Sequence, residues 1–193
     1  MLKVENWQID KQKLIKDSSM EKFSFTSPER VTKIEKIVIS SAVSQATTNK
    51  QLLDNTATAL NKITGQKPII NKAKRSVTAF KLREGMPIGC RVTLRGKKAW
   101  NFLFKLILLY IPRIRDLRGI SPSGFDKNGN YNMGVSDLTI FHEVPYDLIF
   151  KNQGLQINIV FSSKEKVENK YLLDLLNFPF KGMIKITNKQ TLN

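Results

Sequence analysis

Ten cations against one carboxylate in 32 consecutive residues set the chemistry open to this chain. The stretch is residues 67–98, KPIINKAKRSVTAFKLREGMPIGCRVTLRGKK. Lys67, Lys72, Lys74, Arg75, Lys81, Arg83, Arg91, Arg95, Lys97 and Lys98 carry the charge, and Glu84 alone opposes it. Lys and Arg side chains donate hydrogen bonds and accept none, and the planar fork of arginine fits the paired oxygens of a phosphate. Such an array repels itself unless a polyanion neutralises it, and nucleic-acid phosphates are the commonest polyanion. The bland alternative is a solvated loop kept for solubility. Phe80, Met86 and Pro87 interrupt the cations, a mixture that suits contact with sugars and bases as well as phosphates.

Covalent and metal chemistry find little support. Cys90 and His142 are the only residues of their kinds. Cys90 lies in an apolar run, residues 88–94, where a buried structural thiol is expected rather than a nucleophile. One Cys and one His cannot make the usual zinc site, and a lone Cys allows no internal disulfide, which points to a reducing compartment. No carboxylate pair stands at metal-binding spacing, and no P-loop pattern occurs. Residues 126–130, DKNGN, open like a calcium loop, but position twelve is Asp137 instead of Glu and flanking helices are missing, so a turn is expected. No catalytic residue, metal or cofactor is assigned.

At 193 residues and 41% hydrophobic content, the chain can bury the core of one domain, with or without tails. Its formal charge of +16 calls for an anionic partner: nucleic acid, a membrane surface or an acidic protein. The most apolar run, residues 99–111, is too short to span a membrane and carries Asn101 and Lys105, so no membrane insertion is expected. Nor does the start read as a targeting peptide, because Glu5, Asp10, Asp17 and Glu21 precede the first arginine, Arg30. Only the first helix could lie on a membrane surface, and its acids argue against that.

The elements that would hold the cationic stretch follow from periodicity. Residues 7–23 predict an amphipathic helix, with a connector through Pro28 to residue 30. Residues 34–43 predict a central strand around Ile37-Val38-Ile39. Residues 48–63 predict a helix capped at Thr48 or Asn49, with Leu52, Leu53, Thr56, Leu60 and Ile63 as its buried stripe and Gly65 as its stop. Residues 68–71 and 88–94 then form two strands of a long hairpin with a basic tip. Residues 97–111 predict a helix apolar nearly all round, hence buried, and ended by Pro112. Residues 113–134 read as the longest irregular segment, with Arg113, Arg115, Arg118 and one acid, Asp116. Its functional reading is a binding surface; its plain reading is a pairing of Asp116 with an arginine. A strand over residues 155–161, a closing helix over 164–176 and a basic tail over 181–193 complete the chain. The expected fold class is α+β: an antiparallel sheet with helices packed on one face, the other face open to a partner, and a long basic hairpin loop. The expected organisation is residues 1–30 as helix and connector, 31–180 as the RNA-binding α+β domain, and 181–193 as the tail.

Three passages are familiar as sequences. TGQKPIINKAKRSVTAFKLREGMPIGCRVTLRG (residues 64–96), PRIRDLRGISPSGFDKNGNYNMG (112–134) and the closing NFPF (177–180) closely resemble the L-five family of large-subunit ribosomal proteins. The resemblance covers about residues 34–180. It implies a structural role in the large subunit, with 5S rRNA bound in the central protuberance by a sheet face and neighbouring loops. It further implies contact with large-subunit rRNA, with peptidyl-site tRNA through the loop between Lys72 and Pro87, and with a small-subunit protein in an intersubunit bridge. Matched by motif, Gln66 and Lys67 in TGQKP and Thr93 and Arg95 in VTLRG would bind 5S rRNA, Arg95 through phosphate. Lys74, Arg75, Lys81 and Arg83 would meet tRNA, and Arg113, Arg115 and Arg118 would serve rRNA or the bridge.

The sequence also departs from that family. Where relatives have Asn and a glycine-containing turn after the first strand, it reads Ser40-Ser41-Ala42-Val43-Ser44, so Ser40 takes a 5S-facing place without an amide. The passage Phe141 to Pro145 is altered, and the tail runs beyond the usual end. Abundant Lys, Asn and Ile without a presequence suggest an organelle-encoded protein of the mitochondrial matrix, with a bacterium or plastid as the alternative. The competing functional reading is a basic RNA-binding protein outside the ribosome.

Overall fold

The structure of the protein is a computed structural model that describes residues 2–43, 50–114, 119–148 and 153–181. Helix α1 (Leu2–Phe23) precedes strand β1 (Ile34–Ala42), helix α2 (Lys50–Thr64) and strands β2 (Ile69–Lys72) and β3 (Pro87–Leu94). Helix α3 (Gly96–Lys105), strand β4 (Tyr131–Val135), strand β5 (Leu155–Phe161) and helix α4 (Lys166–Leu175) follow. The strands form a five-stranded sheet in the order β2-β3-β1-β5-β4, and each neighbouring pair is antiparallel. With four helices among the described residues, this is the α+β fold that the periodicities predict.

Alternation decides which face is covered. In β1, Ile37, Ile39 and Ser41 are buried while Val38 and Ser40 are only half-buried. Cys90, Val92 and Leu94 of β3, and Leu155, Ile157, Ile159 and Phe161 of β5, point the same way as the buried set of β1. Ala59, Leu60 and Ile63 of α2 and Ala99, Phe102 and Leu103 of α3 join these side chains in one core. The helices therefore cover that face. α1 packs across α3 and α4: Trp7 meets Phe104 at 5.0 Å and Phe23 meets Tyr171 at 5.6 Å between ring centroids, both edge to face.

Two expectations need correction. The sequence predicts one buried helix over residues 97–111; the chain instead leaves α3 through a π-helical turn, Leu106–Tyr110, and a 3-10 turn, Ile111–Arg113. A π turn takes more residues per revolution, so the apolar stripe rotates outward, leaving Leu108 50% and Leu109 43% exposed. The second correction is β4, which begins inside the passage expected to be irregular and runs one residue past it. Asn132 and Gly134 weaken its strand pattern, and only its ladder with β5 makes it one. The proposed caps Thr48 and Asn49, Asp116, and residues 182–193 of the tail lie outside the described residues.

The DKNGN passage is a turn tied to α4. Asp126 accepts backbone hydrogen bonds from Asn128 at 2.9 Å and Asn130 at 2.8 Å, and its carboxyl is held below the usual range because these and the Asn130 side chain outweigh desolvation. Fully buried Asn169 donates to the carbonyls of Gly129 (2.9 Å) and Ser163 (2.8 Å), joining the turn to the start of α4. Gly129 has φ +78°, and a Cβ there would stand 2.6 Å from the Lys164 carbonyl oxygen. Gly129→Ala therefore lowers the unfolding free energy by about 2–3 kcal/mol, read as an earlier urea midpoint at unchanged slope.

Candidate nucleic-acid interface

The sheet face away from the helices is built by strand register. Partners across an antiparallel ladder share a face, so one transverse row reads Ile69, Arg91, Ser40, Gln156, Gly134 from edge to edge. The next row reads Thr93, Val38, Asn158, Asn132. Five strands at ordinary spacing make this surface about 20 Å wide. It offers amides, hydroxyls and a guanidinium, with small residues between them. No carboxylate stands in these rows, and each of their residues is at least partly exposed. Such a surface can donate to phosphates and pair with base edges or ribose hydroxyls without repelling them.

The residues expected to bind 5S rRNA gather here. Ser40 and Thr93 lie on the face itself. Gln66 sits beside β3, where its Nε2 donates to the Thr93 carbonyl at 3.2 Å, leaving its Oε1 to accept from a ligand. Lys67 follows and is exposed. Arg95 stands at the end of β3 as the N-cap residue of α3, with Nη1 3.9 Å from Glu35 Oε1. Both side chains are more than half or half exposed (61% and 50%), so this pair holds Arg95 only weakly against a phosphate.

The connection from β2 to β3 carries the residues expected at tRNA. Ala73 donates its N–H to Met86 O at 2.8 Å, Gly85 to Ala73 O at 3.0 Å, and Val77 to Leu82 O at 2.9 Å. Lys81 turns the chain at φ +50°. Lys74, Arg75, Lys81 and Arg83 are all exposed, as is Phe80 at 77%. Arg113 lies near the end of β4, where it lines one cavity with Gly134 and Ile140, its Nη1 3.5 Å from Ile140 O. Arg115 and Arg118 lie outside the described residues.

Sequence reasoning left four polar members of the face unassigned: Arg91, Gln156, Asn158 and Asn132. The signal was present for three of them. Arg91 alternates with Cys90 and Val92, and Gln156 and Asn158 are the polar positions of LQINIVF. Asn132 became visible only with β4.

The remaining reactive groups are accounted for. Cys90 is fully buried on the core side, and desolvation pushes its thiol up to about 11. The Glu143 carboxylate accepts from Tyr110 Oη at 2.6 Å and Lys105 Nζ at 3.0 Å through one oxygen, and His142 Nδ1 stands 3.4 Å from the other. Burial pushes the Glu143 carboxyl up, but these donors outweigh it and hold it below its ordinary value. Among the described residues no cluster of three His, Cys, Asp or Glu could hold a metal, and no helix is long and apolar enough to cross a membrane.

The chain is similar to known proteins over most of its length. The family model for ribosomal protein L5 matches residues 27–83, and the model for the C-terminus of that family matches residues 87–180. The large ribosomal subunit protein uL5 of Desulfotalea psychrophila is 48% identical over 161 residues, 83% of this chain and 90% of that protein. The uL5 of Baumannia cicadellinicola is 48% identical over 170 residues, 88% of this chain and 94% of that protein.

Proposed function

Because the chain belongs to the ribosomal protein L5 family, a structural and not an enzymatic family, we propose that it is a constituent of the large ribosomal subunit that binds 5S rRNA through its open sheet face. The observation that carries this reading is the pair of carboxylate-free rows across the sheet face, one of them spanning all five strands, with the motif-matched Gln66, Lys67, Thr93 and Arg95 on or beside that face and Ser40 in the place of the relatives' Asn. Arg95 binds phosphate, while Gln66, Ser40 and Thr93 meet sugar or base edges. The exposed cations of residues 73–86 reach peptidyl-site tRNA, and Arg113, with Arg115 and Arg118, serves large-subunit rRNA or a small-subunit protein across an intersubunit bridge. Both relatives are bacterial, which supports a bacterial cytoplasm; the mitochondrial matrix suggested by composition draws no support from them.

A titration of the protein against 5S rRNA and an unrelated RNA of equal length, at low and high salt, tests the reading. Binding to 5S rRNA that survives high salt while the control falls away supports it. Equal binding to both, lost together with salt, leaves a basic RNA-binding protein outside the ribosome. Arg95→Ala weakens 5S binding by about 1–3 kcal/mol in the same assay; an unchanged affinity removes Arg95 from the site. Lys74→Ala with Arg75→Ala leaves 5S affinity within about 0.5 kcal/mol but weakens tRNA retention on reconstituted ribosomes. Equal loss of both would merge the two surfaces.

A further inference from the structure

Strand β4 closes one side of the sheet, and its outer edge is covered only at the start. It bonds β5 on its inner side. On its outer side Phe125 bridges Tyr131, and Asn132 donates its side-chain amide to Gly124 O at 3.5 Å. Among the described residues no strand pairs with the outer edge of residues 133–135. An antiparallel strand bonds each neighbour through alternate residues, so about half of the backbone groups there face outward. Beside the end of β4 lies a cavity of about 470 Å³. Ile114, Val135 and Ile140 give it an apolar wall, and Arg113 and Asp137 line it with polar groups. Tyr146 also lines it and is 81% exposed.

The chain continues from this place as residues 182–193, GMIKITNKQTLN. Lys181 donates its N–H to Ile120 O at 2.8 Å, and the Phe180 ring stands 5.4 Å from that of Tyr131, so the tail leaves beside the first residue of β4. Ile184 and Ile186 alternate with Lys185 and Thr187, the pattern of a strand with one apolar face. These isoleucines come about 13 Å and 20 Å of extended chain after Phe180, and Tyr131 to Val135 is about 13 Å of strand. The reach of the tail thus matches the distance from its exit to the cavity. We infer that residues 183–187 add to the outer edge of β4 as a sixth strand parallel to it. Ile184 and Ile186 then seat in the cavity, while Lys185 and Thr187 face solvent. Pairing satisfies the outward backbone groups of β4, and burial of two aliphatic side chains drives the docking. The inference rests on the fold and the sequence of the tail, and not on the RNA reading above.

The test uses the full chain and residue-resolved amide hydrogen exchange. Ile184→Lys with Ile186→Lys makes the amides of residues 133–135 exchange faster by about tenfold or more and leaves those of β1 unchanged. Lys185→Ser with Lys189→Ser keeps the protection in place. A second measurement joins the two partners covalently: in the Tyr146→Cys, Ile186→Cys protein, mild oxidation forms a disulfide within one chain, seen as lost thiols without a dimer on a non-reducing gel. Cys90 is fully buried and does not compete. Unchanged exchange in the Ile184→Lys, Ile186→Lys protein overturns the proposal. Equal loss of protection in the Lys185→Ser, Lys189→Ser protein overturns it too, because charge and not the apolar seat would then hold the tail. So does a disulfide that forms only between two chains, which would assign the cavity to the tail of a second copy, or no disulfide at all.

Discussion

Arg91→Glu weakens binding to 5S rRNA by about 3 kcal/mol, roughly a hundredfold, and lowers the steepness of the salt dependence. Arg91 is exposed at the second strand from the edge, between Ile69 and Ser40, in the row that crosses the whole sheet. No residue of that row or the next opposes it with a negative charge. On the proposed binding mode, loss of the guanidinium removes a phosphate or base contact, and the new carboxylate repels an RNA backbone across the face. Both effects have the same sign, which is why this variant exceeds Arg95→Ala. Lys13→Glu is the control: it changes net charge equally from an exposed place on α1. Filter binding or anisotropy at two salt concentrations separates the two. If Lys13→Glu is as damaging as Arg91→Glu, net charge and not the sheet face governs affinity.

Phe178→Ala lowers the unfolding free energy by about 4 kcal/mol and the thermal midpoint by about 10 °C. Phe178 is fully buried and packs edge to face on Tyr131 at 5.4 Å and beside Phe180 at 5.1 Å. Tyr131 in turn meets Phe125 at 4.8 Å and donates its hydroxyl to Ser121 O at 2.8 Å, and burial raises its pKa to about 12. The same closing segment is stitched to the chain before β4: Ile120 N–H donates to Pro179 O and Lys181 N–H to Ile120 O, both at 2.8 Å. Removing the ring leaves a cavity beneath β4 that surrounding aromatic planes cannot close. Because β4 carries Asn132 and Gly134 of the open face, 5S affinity falls too, but by less than for Arg91→Glu. Calorimetry reports the first effect and titration the second. A shift of only a degree or two would mean that NFPF ends α4 without supporting the sheet.

The NFPF segment shows how far sequence reading reaches. As a sequence the segment reads as the stop of α4, and it does follow it: Asn177 takes the left-handed conformation at φ +60° after the last turn. That they also brace β4 depends on the parallel bridge between Ile120 and Phe180, residues far apart in the chain. Likewise, the alternation in residues 155–161 already separates a buried from an open set, whereas residues 34–42, read as apolar on both faces, divide into the two sets only in the sheet. Which polar residues then lie side by side depends on the strand order.

The sequence by itself determined the electrostatic character, the α+β class, most strand and helix positions, and the cationic connection between β2 and β3. These follow from charge, from the two- and 3.6-residue periods, and from glycine and proline stops, all of which act over a few residues. Only the tertiary structure decided that β4 is a strand, that α3 ends in a π turn exposing Leu108 and Leu109, and that Arg91, Ser40, Gln156 and Gly134 align in one row. A ladder joins residues distant in sequence, and its register is fixed by burying one face of every strand at once, so no single stretch holds that information.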